Sequence, residues 1–140
     1  MAMDSRTVLC IDDLPQILEF RKATLESHGY CVKIAAGSQS AMKILEEAES
    51  SVDVVLLEYK LEGMDAEAVA FHIKQRFPNL PIILYSAFSE VPERILRLVD
   101  EYVTKNEMQG RLVPVIERAT HPDRNAQCLR ERRQNRRPAA

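Results

Sequence analysis

The chain has 140 residues, 46% of them apolar and 29% charged, which is enough for one hydrophobic core without disulfide or metal support. Its longest apolar runs, such as residues 81–85, are far too short to span a bilayer, and the N-terminus has no apolar leader core, so a cytoplasmic protein is expected. The formal charge of −2 conceals an asymmetry: residues 121–140 carry six arginines against Asp123 and Glu131, a balance of +4, leaving −6 on the rest.

Thr7 to Ile11 is a short apolar run that ends abruptly at Asp12 and Asp13, the pattern of a strand buried on both faces of a parallel sheet. Asp13-Leu14-Pro15-Gln16 then reads as a helix start, with Asp13 as cap, Pro15 in the first turn and Gln16 in the capping-box position. Ile17, Leu18, Arg21, Thr24, Leu25 and His28 follow at helical spacing, and Gly29 ends the helix. Residues 30–35 form a second strand. Gly37-Ser38 turns into a helix whose inner face is Ala41, Ile44, Leu45 and Ala48.

Residues 52–57 are the most apolar stretch, a third strand that ends at Glu58. A loop with Gly63 leads to a helix from about Asp65 to Phe77, its buried side assigned to Val69, Phe71 or His72, Ile73 and Phe77. Pro78-Asn79-Leu80-Pro81 breaks it. Residues 82–85 are a fourth strand, followed by Ser86-Ala87 and a helix through Ile95, Leu96 and Val99. Residues 101–104 make a short fifth strand, and the last helix runs from Asn106 to about Ala119.

Five strands alternating with helices predict a doubly wound α/β fold with a parallel sheet, one domain over residues 1–120. In such sheets the working groups lie beyond the carboxyl ends of the strands. Those ends hold Asp12 and Asp13, Glu58, Ser86 and Lys105. Three carboxylates held close raise one another's pKa unless a cation offsets them, and magnesium, which takes oxygen ligands, is the economical choice. With the Lys105 ammonium and the Ser86 hydroxyl the set suits a phosphoryl group. Taken singly, Asp13 reads equally as a helix cap, Ser86 as a turn residue and Lys105 as a solvated lysine.

Ile11-Asp12-Asp13-Leu14-Pro15, Asp53-Val54-Val55-Leu56-Leu57-Glu58, Gly63-Met64-Asp65, Tyr85-Ser86-Ala87 and Tyr102-Val103-Thr104-Lys105 together resemble the ordered landmarks of CheY-like response regulator receiver domains. The resemblance covers residues 6 to about 119 and implies five helices around a sheet of order 2-1-3-4-5. It implies that Asp12 and Asp13 hold magnesium, with the position-58 carboxylate and the backbone carbonyl of Lys60 as further ligands. Position 58 is where the family carries an aspartate that takes a phosphoryl group from a histidine kinase. It further implies that Ser86 and Lys105 contact the phosphoryl oxygens, and that Tyr102 moves with the switch.

Glu58 is the central departure. Its extra methylene moves the carboxylate by on the order of 1 Å, a misplacement worth roughly 100-fold in rate. Ordinary phosphorylation is therefore not expected. Two readings follow: the longer side chain reaches toward Ser86 and Lys105 and imitates part of a phosphoryl group, or the switch is lost. Lys60 either folds back onto the carboxylates or points to solvent. Glu62 and Asn106 stand where the resemblance implies prolines, loosening the loops, and Phe88 puts an aromatic near the pocket's mouth.

Cys10 and Cys31 read as small buried hydrophobes, and Cys128 lies in the tail. An odd count without paired spacing predicts neither disulfides nor a zinc site. The arginine-rich tail, nearly free of apolar residues, is expected to be disordered. It is too short for an output domain, which predicts a stand-alone, non-enzymatic receiver contacting a histidine kinase or a downstream signalling protein. A homodimer through the fourth helix, fifth strand and fifth helix would draw on Leu96, Val99, Tyr102 and Val115. The competing functions are a working phosphoacceptor and a nucleic-acid binder acting through the tail, the latter disfavoured because the tail has no aromatic to stack on bases. A metabolic enzyme has no support, since no Gly-rich phosphate loop and no nucleophile–histidine pair is present; His28, His72 and His121 are scattered.

Overall fold

The computed structural model describes residues 6–47, 51–61, 63, 65–87 and 90–120, with 107–109 described by backbone alone. The elements in chain order are β1 (Thr7–Ile11), α1 (Pro15–Glu26), β2 (Cys31–Ala35), α2 (Ser38–Glu47), β3 (Val54–Glu58), α3 (Ala66–Arg76), β4 (Ile82–Ser86), α4 (Glu93–Leu96), β5 (Glu101–Thr104) and, after a 3-10 turn at Lys105–Glu107, α5 (Met108–Thr120). The strands form one parallel sheet in the order β2-β1-β3-β4-β5. β3 and β4 are buried at every position, as continuous apolar runs in the middle of such a sheet must be.

Because side chains alternate across a strand, the sheet divides the core in two. Leu9, Ile11, Val55, Leu57, Ile82 and Leu84 face α2, α3 and α4. Val8, Cys10, Val54, Leu56, Ile83 and Tyr85 face α1 and α5. This alternation decides the site, because it puts Glu58 and Tyr85, paired in register across β3 and β4, on the same side of the sheet.

Several local expectations are corrected. Asp13 is not the cap of α1; the helix begins at Pro15 behind Leu14, which makes no side-chain cap, and the Leu14 N–H is bound instead by Asp12 Oδ1 at 3.1 Å. An aspartate closing on the amide two residues ahead is a turn device, and it leaves Gln16 outside a capping box. The end of α1 follows expectation: Gly29 at φ +93° lets the Tyr30 N–H reach the Leu25 carbonyl (3.2 Å) and the Gly29 N–H reach Glu26 (3.0 Å). In α3 the buried stripe is Ala66, Val69, Ala70 and Ile73, while Phe71 and His72 are both exposed. Alanine let the helix approach the sheet, and the size of Phe71 misled the pattern. Cys31 is exposed rather than buried, since β2 is an edge strand. Val99 and Val115 are core residues and are not available to a contact face.

Two polar ties lock the layers. Tyr30 Oη donates to Glu117 Oε2 at 2.5 Å, and Arg6 reaches the same carboxylate at 3.3 Å, joining the start of the sheet to α5. At the opposite flank Lys74 Nζ donates to the Leu80 carbonyl (2.7 Å) and to Asp100 Oδ2 (2.8 Å), and that oxygen also accepts the Ile82 N–H at 2.7 Å. Both side chains of this second pair are largely buried.

Candidate functional site

Among the described residues the buried polar or charged side chains are Asp12, Glu58 and Ser86, and all three sit at the carboxyl edge of the sheet. Buried carboxylates demand partners, because removing an unpaired charge from water costs several kcal/mol. Asp12 and Glu58 end the neighbouring strands β1 and β3, where the strand order changes direction.

Glu58 is held at both oxygens. Oε2 accepts the backbone N–H of Lys60 at 2.9 Å. Oε1 meets Lys105 Nζ at 2.6 Å, an ion pair in which Glu58 is 3% and Lys105 36% exposed. The contact is one of charge, since its angle falls outside hydrogen-bond geometry. The pairing of β4 with β5 sets the lysine: Ser86 lies opposite Thr104, so Lys105 emerges at the pocket as the chain turns into its 3-10 segment. Lys60 is exposed, and its main chain serves Glu58 as a donor.

Asp12 is likewise occupied. Oδ1 accepts from Leu14, and Oδ2 accepts the hydroxyl of Tyr85 at 2.7 Å. Asp13 is half-buried beside it. Tyr85 stands in the sequence as the end of the fourth strand and part of the Tyr85-Ser86-Ala87 landmark, with no role assigned to its hydroxyl. Its signal was available: a buried tyrosine needs a partner for its hydroxyl, and register places it beside Glu58. Arg21, read only as part of a helical period, also belongs here. Its guanidinium lies 5.2 Å from the Tyr85 ring centroid, Lys105 Nζ lies 5.7 Å from the same centroid, and the buried Arg21 Nε has no hydrogen-bond acceptor among the described residues. The ring face is thus a contact for two cations. Tyr102 lies on the other side of the sheet, half-buried against the α3–α4 cluster.

Burial, the hydrogen bond to Asp12 and its negative charge push the Tyr85 phenol above its ordinary range, so the hydroxyl stays protonated and donating. Burial likewise pushes the Cys10 thiol up to about 12, and burial with the Glu117 bond raises Tyr30. Raised acids bind protons more tightly in the folded state, so above about pH 8.5–9 the unfolded chain releases protons first and stability falls. The expected loss is up to about 1.4 kcal/mol per pH unit for each group in its window. Urea midpoints should hold level to about pH 8.5 and decline from there to about pH 10.5, and a flat profile would contradict these environments.

Magnesium is the cation that the resemblance implies, and the donor set does not fit it. Among the described residues no three Asp, Glu, His or Cys side chains are grouped to hold a metal ion. Three of the four oxygens of Asp12 and Glu58 accept hydrogen bonds, from the Tyr85 hydroxyl and the Leu14 and Lys60 amides, and the fourth, Glu58 Oε1, lies against the Lys105 ammonium, an arrangement of internal donors rather than a coordination sphere. Glu62, Met64 and Phe88, singled out around the pocket, lie outside the described residues, as do Ala48, His121, Cys128 and the tail. No described helix is long and apolar enough to cross a membrane.

An open parallel sheet of this order is a flavodoxin-like fold, and receiver-type signalling domains are among the classes that carry buried acidic groups at its carboxyl edge. The family model for the response regulator receiver domain matches residues 8–117, and the chain belongs to that family. A putative NtrX-like response regulator of Rickettsia bellii is 32% identical over 117 residues, which is 80% of this chain and 24% of the relative, so the chain spans about a quarter of that protein's length. A receiver domain protein of Clostridium thermocellum superposes with a TM-score of 0.76 at 26% identity, covering 84% of this chain and 96% of that one. The response regulator TrrA of Thermotoga maritima, whose structure is a complex with Mg2+-BeF, superposes with a TM-score of 0.72 at 27% identity, covering 80% and 96%.

Proposed function

We propose that this receiver domain signals by protein contact in a state set by a permanent Glu58–Lys105 ion pair instead of by transfer of a phosphoryl group. The observation that carries the reading is the occupation of both Glu58 oxygens, by Lys60 N–H at 2.9 Å and by Lys105 Nζ at 2.6 Å. A carboxylate so held has one oxygen committed to an amide and the other drawn to an ammonium, which makes it a poorer nucleophile toward phosphorus, while it keeps one negative charge beside the lysine that would otherwise meet a phosphoryl oxygen. Of the two readings of the longer side chain, the pair with Lys105 favours the imitation over the lost switch.

The partner is a histidine kinase or a downstream signalling protein in a two-component pathway. Leu96, exposed on α4, and the half-buried Tyr102 on β5 offer apolar contact for such a partner or for a second copy of the chain. Incubation with a small-molecule phosphodonor and Mg2+, read by intact-protein mass beside an aspartate-bearing receiver as positive control, tests the reading. The expected result is modification of the control alone; a phosphoryl group gained by Glu58 itself makes the protein a working phosphoacceptor.

A further inference from the structure

The geometry points to Tyr85 as the residue that closes this pocket to a divalent cation, its hydroxyl and two flanking side-chain cations standing where a metal ion would have to work. Of the carboxylates that would hold a metal ion at this edge, Asp12 has both of its oxygens bound within the chain. One of them, Oδ2, is held by Tyr85 Oη at 2.7 Å in a bond that is fully buried, and the other oxygen is committed to the turn that starts α1. Asp12 is 1% and Tyr85 1% exposed, so water cannot replace the hydroxyl without opening the core.

Charge reinforces the block. Arg21 from α1 and Lys105 from the turn before α5 both sit within 6 Å of the Tyr85 ring centroid. Their charges offset those of Asp12 and Glu58, and a dication placed among these carboxylates would meet two like charges, the partly buried Arg21 and Lys105, the latter one-third exposed and partly screened. Two monovalent side chains offset two of the three carboxylates at this edge, Asp12, Asp13 and Glu58, whatever the metal concentration. The domain's state is therefore insensitive to magnesium. This inference rests on Asp12, Tyr85 and Arg21 and shares with the proposed function only the Glu58–Lys105 pair.

Removal of a single oxygen isolates the effect. Magnesium chloride is titrated calorimetrically, at ionic strength matched with sodium chloride, into the native chain, Tyr85→Phe, Glu58→Asp and the double variant, with the thermal midpoint followed in parallel. Tyr85→Met serves as a second hydroxyl-free protein should the phenylalanine variant fold poorly. Loss of the hydroxyl should tighten Mg2+ binding at least about tenfold, equivalent to about 1.4 kcal/mol, and make the thermal midpoint rise with Mg2+ where the native midpoint stays level. Native protein that binds as tightly as Tyr85→Phe overturns the assignment, and so does a set of variants none of which binds. Tightening by Glu58→Asp alone also overturns it, moving the block to the Glu58–Lys105 pair and leaving the proposed function standing. Phosphorylation of the native chain would do the reverse, removing the proposed function while the comparison of tyrosine with phenylalanine stays readable.

Discussion

Lys105→Ala should lower the stability of the domain by about 1–3 kcal/mol, because it strands the Glu58 carboxylate in a buried setting with one amide for company. The range sits below the ~3–5 kcal/mol of a fully enclosed pair, since the lysine is one-third in solvent and partly screened. A double-mutant cycle separates charge from packing. With Glu58→Gln already in place nothing charged is left behind, and the same lysine deletion should cost under about 0.5 kcal/mol. Urea unfolding of the four proteins measures this. Equal losses in both backgrounds would mean that Lys105 contributes through its methylenes alone, and the ion pair would lose its place in the mechanism.

Asp100→Ala should be the most damaging change away from the pocket, at about 3–5 kcal/mol, with a fall in thermal midpoint on the order of 10–20 °C. One oxygen of Asp100 serves both the Lys74 ammonium and the Ile82 N–H, and its deletion removes that acceptor from two buried donors at once. Asp100→Asn, which keeps an acceptor for the amide, should cost less. If alanine and asparagine proved equally mild, the tie between α3 and the β4–β5 flank would be a surface contact rather than a lock.

What the sequence made legible, and what it hid, follows from how far each feature depends on contacts made in three dimensions. The strands announced themselves, because residues 54–57 and 82–85 are short, uninterrupted apolar runs rich in β-branched residues, the pattern of a strand covered on both faces. Gly29 was equally plain, since the left-handed turn after α1 suits glycine best. Glu58 stood out as a charge at the end of the most buried strand. Helix faces were harder: in α3, alanines 66 and 70 pack inward while Phe71 faces water, because closeness to the sheet outweighed side-chain size. The start of α1 was misassigned because either of two adjacent aspartates could close that turn, and spacing alone does not choose between them.

The pocket was half legible. The ends of the strands named Asp12, Asp13, Glu58, Ser86 and Lys105 from topology alone. Tyr85 and Arg21 stayed hidden, because a tyrosine in a buried strand and an arginine in an amphipathic helix are ordinary in sequence. Only the register of β3 against β4 and the packing of α1 over the sheet bring them to Asp12. The consequence is a change of meaning. A cluster that reads as a magnesium and phosphoryl site from its residue types has three of the four oxygens of Asp12 and Glu58 hydrogen-bonded by the chain's own donors, and the Lys105 ammonium against the fourth.

An amide-resolved NMR spectrum of the native chain, recorded before and after addition of Mg2+ with beryllofluoride as a phosphoryl mimic, bears on this most directly. A state fixed by Glu58 and Lys105 predicts that the signals of Ser86, Tyr102, Thr104 and Lys105 keep their positions. Movement of those signals together as the mimic is added would show a receiver that still switches, and would contradict a permanent ion pair.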